Sequence, residues 1–206
     1  SLLSFEEITR LARGFASHGV KKIRLTGGEP TLRKHLETLV GMLAELRSAD
    51  GEPLDLTLTT NGSLLTKKAQ ALADAGLKRI TVSLDALDDA IFQRMNDVGF
   101  PVADVLAGID AALVAGLSPV KVNAVIVRGR NDDEIVDFAR FAREHDVRFR
   151  FIEFMPLDSG HDWSRDLVVS GREIRDAIGS VFPLRLKQAS RGSSTAWKYE
   201  FADGSL

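Results

Sequence analysis

Five short runs rich in β-branched residues alternate with amphipathic helical segments, and this alternation leaves few possible folds. The runs cover residues 22–26, 54–60, 79–84, 121–127 and 147–155 and read as strands. The first helix precedes them: Ser4 and Glu7 form a capping-box pattern before Phe5, Ile8, Leu11, Ala12 and Phe15, and Gly19 supplies a stop. Further helical periodicity is carried by Leu36, Leu39, Val40, Leu43 and Leu46, and then by residues 66–76. Two more stretches hold Ile91, Phe92 and Met95, and Val105, Ile109 and Leu113; another holds Ile135, Phe138, Ala139 and Ala142. A last helix, capped by Ser170 and Glu173, leads into a strand-like tail over 184–201 with a turn at Ala202-Asp203-Gly204. Strands alternating with helices imply repeated βα units and a parallel sheet. Right-handed crossovers leave a doubly wound open sheet or a full or partial βα barrel.

The strands are unusual for a buried parallel sheet, which normally reads as continuous apolar runs. Side chains alternate across a strand, so Arg24 and Thr26 oppose Ile23 and Leu25, and Thr57, Thr59 and Asn61 oppose Leu56 and Leu58. Thr81, Ser83 and Asp85 oppose Ile80, Val82 and Leu84; Lys121 and Asn123 oppose Val120, Val122 and Ala124. Four strands in succession therefore have one greasy face for helices and one face of hydroxyls, amides and charges. An enclosed polar face needs a polar tenant, because unmatched buried charge is very costly. Arg24 and Lys121 would favour a phosphate or carboxylate there. An open sheet with one solvated face is the other reading. In the fifth strand Arg148, Arg150 and Ile152 oppose Phe149, Phe151, Glu153 and Met155, so both faces carry polar groups and the pattern leaves the choice open.

Composition excludes several classes. The 206 residues are 44% hydrophobic with a formal net charge of -2, which gives no global attraction to nucleic acid or an anionic membrane. No apolar run is long enough to span a bilayer, and the first residues lack the zones of a signal peptide, so a cytoplasmic address is the expectation. With no cysteine there is no disulfide framework and no thiolate metal site. His18, His35, His145 and His161 have no metal-binding spacing, and Asp132-Asp133-Glu134 suits the negative first turn of a helix. Residues 188–195, rich in Ser and Gly, read as a mobile loop.

Gly27-Gly28-Glu29-Pro30 directly follows the first strand. Two glycines let a ligand approach the main chain, and Glu29, held extended by Pro30, offers a carboxylate suited to an ammonium group. This turn stands in an ordered series: Arg24-Leu25-Thr26-Gly27-Gly28-Glu29-Pro30-Thr31-Leu32-Arg33, Thr59-Thr60-Asn61-Gly62, Val82-Ser83-Leu84-Asp85, Val120-Lys121-Val122-Asn123 and Phe151-Ile152-Glu153-Phe154-Met155. From Leu2 to about Phe201 the series closely resembles the radical S-adenosylmethionine GTP 3′,8-cyclase family of molybdenum-cofactor biosynthesis. Gly-Gly-Glu-Pro alone indicates only the broad radical SAM superfamily.

The resemblance implies an α/β fold, a partial TIM-type βα barrel with five recognisable parallel strands and a short strand-like tail. It makes 1–181 the barrel core and 182–206 the start of a strand-containing extension. It implies that Gly27, Gly28 and Glu29 meet the methionine end of S-adenosylmethionine, with Ser83, Asn123 and Met155 also lining that site. Arg24, Thr59, Lys121 and Arg150 would contact GTP. No side chain is named as catalytic, because the cofactor carries the difficult step. An external electron donor and a homodimer come with the family.

The family also carries two 4Fe–4S clusters on cysteines, and this chain has none. The expectation is a central fragment of the enzyme, inactive alone, with its cluster ligands outside the sequence. Another radical SAM enzyme of the peptide-maturase type and a non-catalytic nucleotide-binding barrel are the alternatives.

Overall fold

The computed structural model describes residues 2–157, 163–187 and 196–204. The loop expected over 188–195, and His161, lie outside them. Five strands, β1 (Lys22–Leu25), β2 (Asp55–Thr60), β3 (Arg79–Ser83), β4 (Val120–Ile126) and β5 (Arg148–Glu153), form one sheet in chain order. β1 pairs parallel with β2, and β2 with β3. A doubly wound sheet reverses its strand order at a switch point. Unreversed order is the winding of a βα barrel, and it decides between the two topologies that the sequence allows.

The chain divides into two compact units, Ser1–Ser83 with Ala103–Lys121, and Leu84–Val102 with Val122–Leu206. In the first, α1 (Phe5–Ser17) starts with the expected capping box: Glu7 N donates to Ser4 Oγ and Ser4 N to Glu7 Oε2. Its turn ends at Gly19, where φ is 93°, a conformation costly for residues with a Cβ. α2 (Leu36–Ala44) and α3 (Leu65–Asp74) follow β1 and β2. Leu36, Leu39, Val40, Leu43, Leu56, Leu58, Leu65, Leu72, Ile80 and Val82 are buried, each worth about 1.5–3 kcal/mol of transfer free energy. The buried members of β2 and β3 include every residue assigned to their greasy faces. Register carries the alternation across the sheet: Arg24 pairs with Thr57, Leu58 with Ile80, and Thr59 with Thr81.

The second unit holds α4 (Asp89–Asn96), most of β4, α6 (Ile135–Glu144), β5 and α7 (Gly171–Gly179), then an antiparallel pair β6 (Leu184–Leu186) and β7 (Tyr199–Phe201). α5 (Val102–Val114) lies almost wholly in the first unit. Ala124, Ile126, Ile135, Phe138, Ala139, Val169, Ile174, Ile178 and Phe201 make the second core. Phe149 and Phe151 pack on Phe138, with ring centroids at 4.8 and 6.2 Å. Their position decides the faces of the fifth strand: the phenylalanines take the helix side, and alternation puts Arg148, Arg150 and Ile152 on the opposite face. Glu153, on the phenylalanine face, accepts from Gly171 N at 2.6 Å at the start of α7, a favourable place for a negative charge.

Asp132, Asp133 and Glu134 form the negative first turn expected of them, a 3-10 turn ahead of α6, and Glu134 is buried there. Its carboxylate accepts from Leu87 N and Asp88 N at 3.1 and 2.8 Å, tying the segment after β3 to the segment after β4.

Candidate functional site

The loops after the first strands place the candidate groups. Gly27 has φ 155°, and Cβ atoms built at Gly27 or Gly28 would meet nothing within 4 Å. The space over this loop is therefore open, as a ligand approaching the main chain requires. Glu29 is extended (φ -133°, ψ 105°), with Pro30 opening a short 3-10 turn after it.

The Glu29 carboxylate holds this corner together. Oε1 accepts from Thr31 N at 2.9 Å, from Thr31 Oγ1, and from Thr60 Oγ1 at 2.7 Å. Oε2 accepts only from Asn61 N, at 2.6 Å. A carboxylate offers about four acceptor directions, two on each oxygen. Oε1 is saturated, and Oε2 keeps one direction for a further donor such as an ammonium group. The participation of Thr31, Thr60 and the Asn61 backbone was missed in the sequence reading. Glu29 and Thr31 are local enough to suggest a turn, but no periodicity links Glu29 to residues 60 and 61.

Tight packing seats the end of β2. Gly62 has φ 84°, and a Cβ there would lie 2.8 Å from Val82 Cγ1. On α5, a Cβ at Gly108 would lie 2.4 Å from the Gly62 carbonyl oxygen. Only glycine lets the helix come this close to the Thr59-Thr60-Asn61-Gly62 turn.

On the polar face, Arg24 is exposed and makes no ion pair among the described residues. Thr57 and Thr81 are buried, while Thr59, Ser83 and Lys121 are half-buried. The Thr59 hydroxyl oxygen is itself buried and has no hydrogen-bond partner. Buried polar atoms are nearly always satisfied, so this orphan marks a place where a ligand or water would supply the bond.

Within the second unit, the Asn123 side-chain oxygen is a second buried orphan, while its backbone carbonyl accepts from Leu84 N. Arg150 is half-buried on β5, and Met155 is exposed just after it. Around Asp85 the polar groups close on one another. Asp85 accepts from Val125 N at 2.8 Å, and burial raises its pKa above the ordinary aspartate value. Asn131, fully buried, accepts from Val127 N and donates to the Asp85 and Val125 carbonyls. Burial likewise raises Glu134, against the lowering effect of its backbone donors.

The family model for the Radical SAM superfamily matches residues 1–142. The chain belongs to the radical SAM superfamily. It is 48% identical over 203 residues to a GTP 3′,8-cyclase of Acidothermus cellulolyticus, covering 98% of this chain and 55% of that protein. It is 43% identical to a GTP 3′,8-cyclase of Xanthomonas axonopodis pv. citri, covering 98% and 59%. The radical SAM chain thus spans little more than half the length of these relatives. Among solved structures it resembles a maturase of the FeFe-hydrogenase (TM-score 0.65, 15% identity, 87% of this chain and 42% of that one). It also resembles methylornithine synthase (TM-score 0.61, 15% identity, 89% and 54%). These two likenesses speak to the fold alone.

A 4Fe–4S cluster does not fit the residues present. Such clusters need thiolates in nearly every case, and the sequence holds no cysteine. Among the described residues no group of His, Asp or Glu gathers as a metal site, and no helix is long and apolar enough to cross a membrane.

Proposed function

We propose that this chain is the substrate-binding part of a GTP 3′,8-cyclase, an enzyme that rearranges GTP with S-adenosylmethionine in molybdenum-cofactor synthesis. The observation that carries the reading is the orphaned Thr59 hydroxyl on the face that also bears the free Arg24. A buried hydroxyl and an exposed guanidinium on one face of the sheet suit a polar anionic ligand, and a nucleoside triphosphate is one. The identity of 43–48% to GTP 3′,8-cyclases over 98% of the chain supports GTP within that class.

The first unit would contribute Arg24 and Lys121 to the triphosphate, and Thr59 to GTP through its hydroxyl. It would also bring Gly27, Gly28, Ser83 and the open direction on Glu29 Oε2 to the methionine end of S-adenosylmethionine. The resemblance further assigns Arg150 to GTP, and Asn123 and Met155 to S-adenosylmethionine. These groups bind and orient; none has to be an acid or a base. The 4Fe–4S clusters of the family supply electron transfer to S-adenosylmethionine, and their ligands are absent here, so the chain alone would not turn over. Residues 1–181 would be the barrel core and 182–206 the beginning of an extension. A homodimer, an external electron donor and a cytoplasmic location complete the proposal.

Calorimetric titration of the chain with GTP and ATP at two salt concentrations, beside Lys121→Ala and Arg24→Ala, tests it. We expect triphosphate binding that weakens with salt and falls about tenfold or more in each variant. A folded chain that binds neither nucleotide, or binds both unchanged in the variants, would remove the cationic face from the mechanism.

A further inference from the structure

The geometry points to Thr60 as a positioning residue that holds the plane of the Glu29 carboxylate, so that one of its oxygens stays turned to a ligand. The inference rests on the reading above of Glu29 as acceptor for the ammonium group of S-adenosylmethionine, and it adds a residue that cannot touch that ligand. Thr60 is 3% exposed and pairs in register with Val82 on the greasy face of the sheet. Its neighbour Thr59 has the opposite orientation, so two adjacent threonines would do different work.

The Thr60 hydroxyl has no freedom in its polarity. Gly62 N donates to its oxygen at 3.1 Å, so its single proton is left for Glu29 Oε1 at 2.7 Å. A carboxylate torsion is intrinsically broad and twofold, so the plane of the group swings at little cost unless neighbours hold it. Thr31 contacts Oε1 from two residues away and moves with the loop. Thr60 contacts it from the end of β2, a separate rigid element. Together they saturate Oε1 and leave the open acceptor direction on Oε2, beside Asn61 N. Without the Thr60 hydroxyl the carboxylate loses its tie to the strand and its fixed plane, and an ammonium group meets a mobile acceptor instead of a fixed one.

The test is calorimetric binding by the full-length protein of S-adenosylmethionine and of its analogue lacking the α-amino group. The variants are Glu29→Gln, Thr60→Val, Thr60→Ala and Thr60→Ser. In the parent, S-adenosylmethionine binds more tightly than the analogue, and Glu29→Gln erases most of that preference. Thr60→Val, or Thr60→Ala if the valine variant does not fold, reduces the preference about tenfold while the analogue's affinity stays within about twofold. Thr60→Ser, which keeps the hydroxyl, restores the parent preference. Equal weakening of both ligands by Thr60→Val or Thr60→Ala would show a merely structural role and overturn the proposal. So would an intact preference in these variants, or a serine variant as impaired as valine. If Glu29→Gln keeps the preference, the reading of Glu29 fails first, and the role of Thr60 fails with it.

Discussion

Thr59 in the first unit and Asn131 in the second are both polar side chains whose functional atoms are buried, yet their situations are opposite. The Asn131 amide uses both N–H donors and its oxygen on backbone groups at residues 85, 125 and 127. The Thr59 hydroxyl has no partner among the described residues. A closed network contributes to the fold and has nothing left to offer a ligand. An open one costs the fold something, because a desolvated polar group goes unmatched, and such a cost persists where binding compensates for it. The contrast separates scaffold from site more sharply than residue type does. Glu29 stands between the two, with one oxygen committed to structure and the other partly open.

The largest effect expected is from Asn131→Leu, which strands two carbonyls and one N–H in the interior. Each such group costs about 1–3 kcal/mol when left unpaired, so a loss of roughly 3–5 kcal/mol in denaturant unfolding is predicted. A loss below about 1 kcal/mol would mean that the network is not closed, and the distinction between the units would fail. Next is Gly108→Ala, where the new methyl would sit 2.4 Å from the Gly62 carbonyl oxygen. Overpacking against backbone costs about 1–3 kcal/mol, more than the roughly 1 kcal/mol that alanine gains over glycine in a helix. The displaced Gly62 turn should also weaken S-adenosylmethionine binding through Asn61 and Glu29.

Thr59→Val sharpens the comparison because its two readouts should move in opposite directions. Replacing an unsatisfied hydroxyl by a methyl of similar shape is neutral or stabilising, by up to about 1 kcal/mol. GTP affinity should fall about tenfold, the worth of one hydrogen bond made to a ligand. A variant that loses stability as well would show that Thr59 has a structural partner after all.

What could be read from sequence was whatever is local or periodic. The capping boxes at Ser4–Glu7 and Ser170–Glu173 are four-residue patterns and formed as expected. The two faces of β1 to β4 followed from alternation, because one face of each is uniformly apolar. The fifth strand offered no such contrast. Its faces were decided by Phe138 on α6, a tertiary neighbour that no pattern within residues 147–155 can announce. Glu134 sits in the acidic turn expected of it, but its burial was not legible for the same reason: its partners lie 46 and 47 residues back, at Asp88 and Leu87. The ligand assignments to Gly27, Gly28, Ser83, Met155 and the cationic residues came from resemblance. The structure adds only that two other residues of the polar faces, Thr59 and Asn123, each have a buried atom with unmet hydrogen-bonding capacity.

Asp85 gives the smallest effect and the most pointed test, since it lies next to the closed network yet belongs to the polar face by alternation. Burial raises its pKa above the ordinary value, so between pH 4 and the folded pKa the native chain binds more protons than the unfolded one. Stability must then fall as pH rises through that window, and at pH 7 the ionised group detracts from the fold. Asp85→Asn keeps an oxygen for Val125 N and removes the charge. The variant should be more stable than the parent at pH 7, with the advantage shrinking as pH falls and absent below about pH 4, where both side chains are neutral. Chemical denaturation at pH 4, 5.5 and 7 checks this. An advantage that does not depend on pH would mean that ionisation is not the source of the cost. A variant less stable at pH 7 would mean that the charge is compensated in the native state, and would move Asp85 from the scaffold to the ligand-facing groups with Thr59.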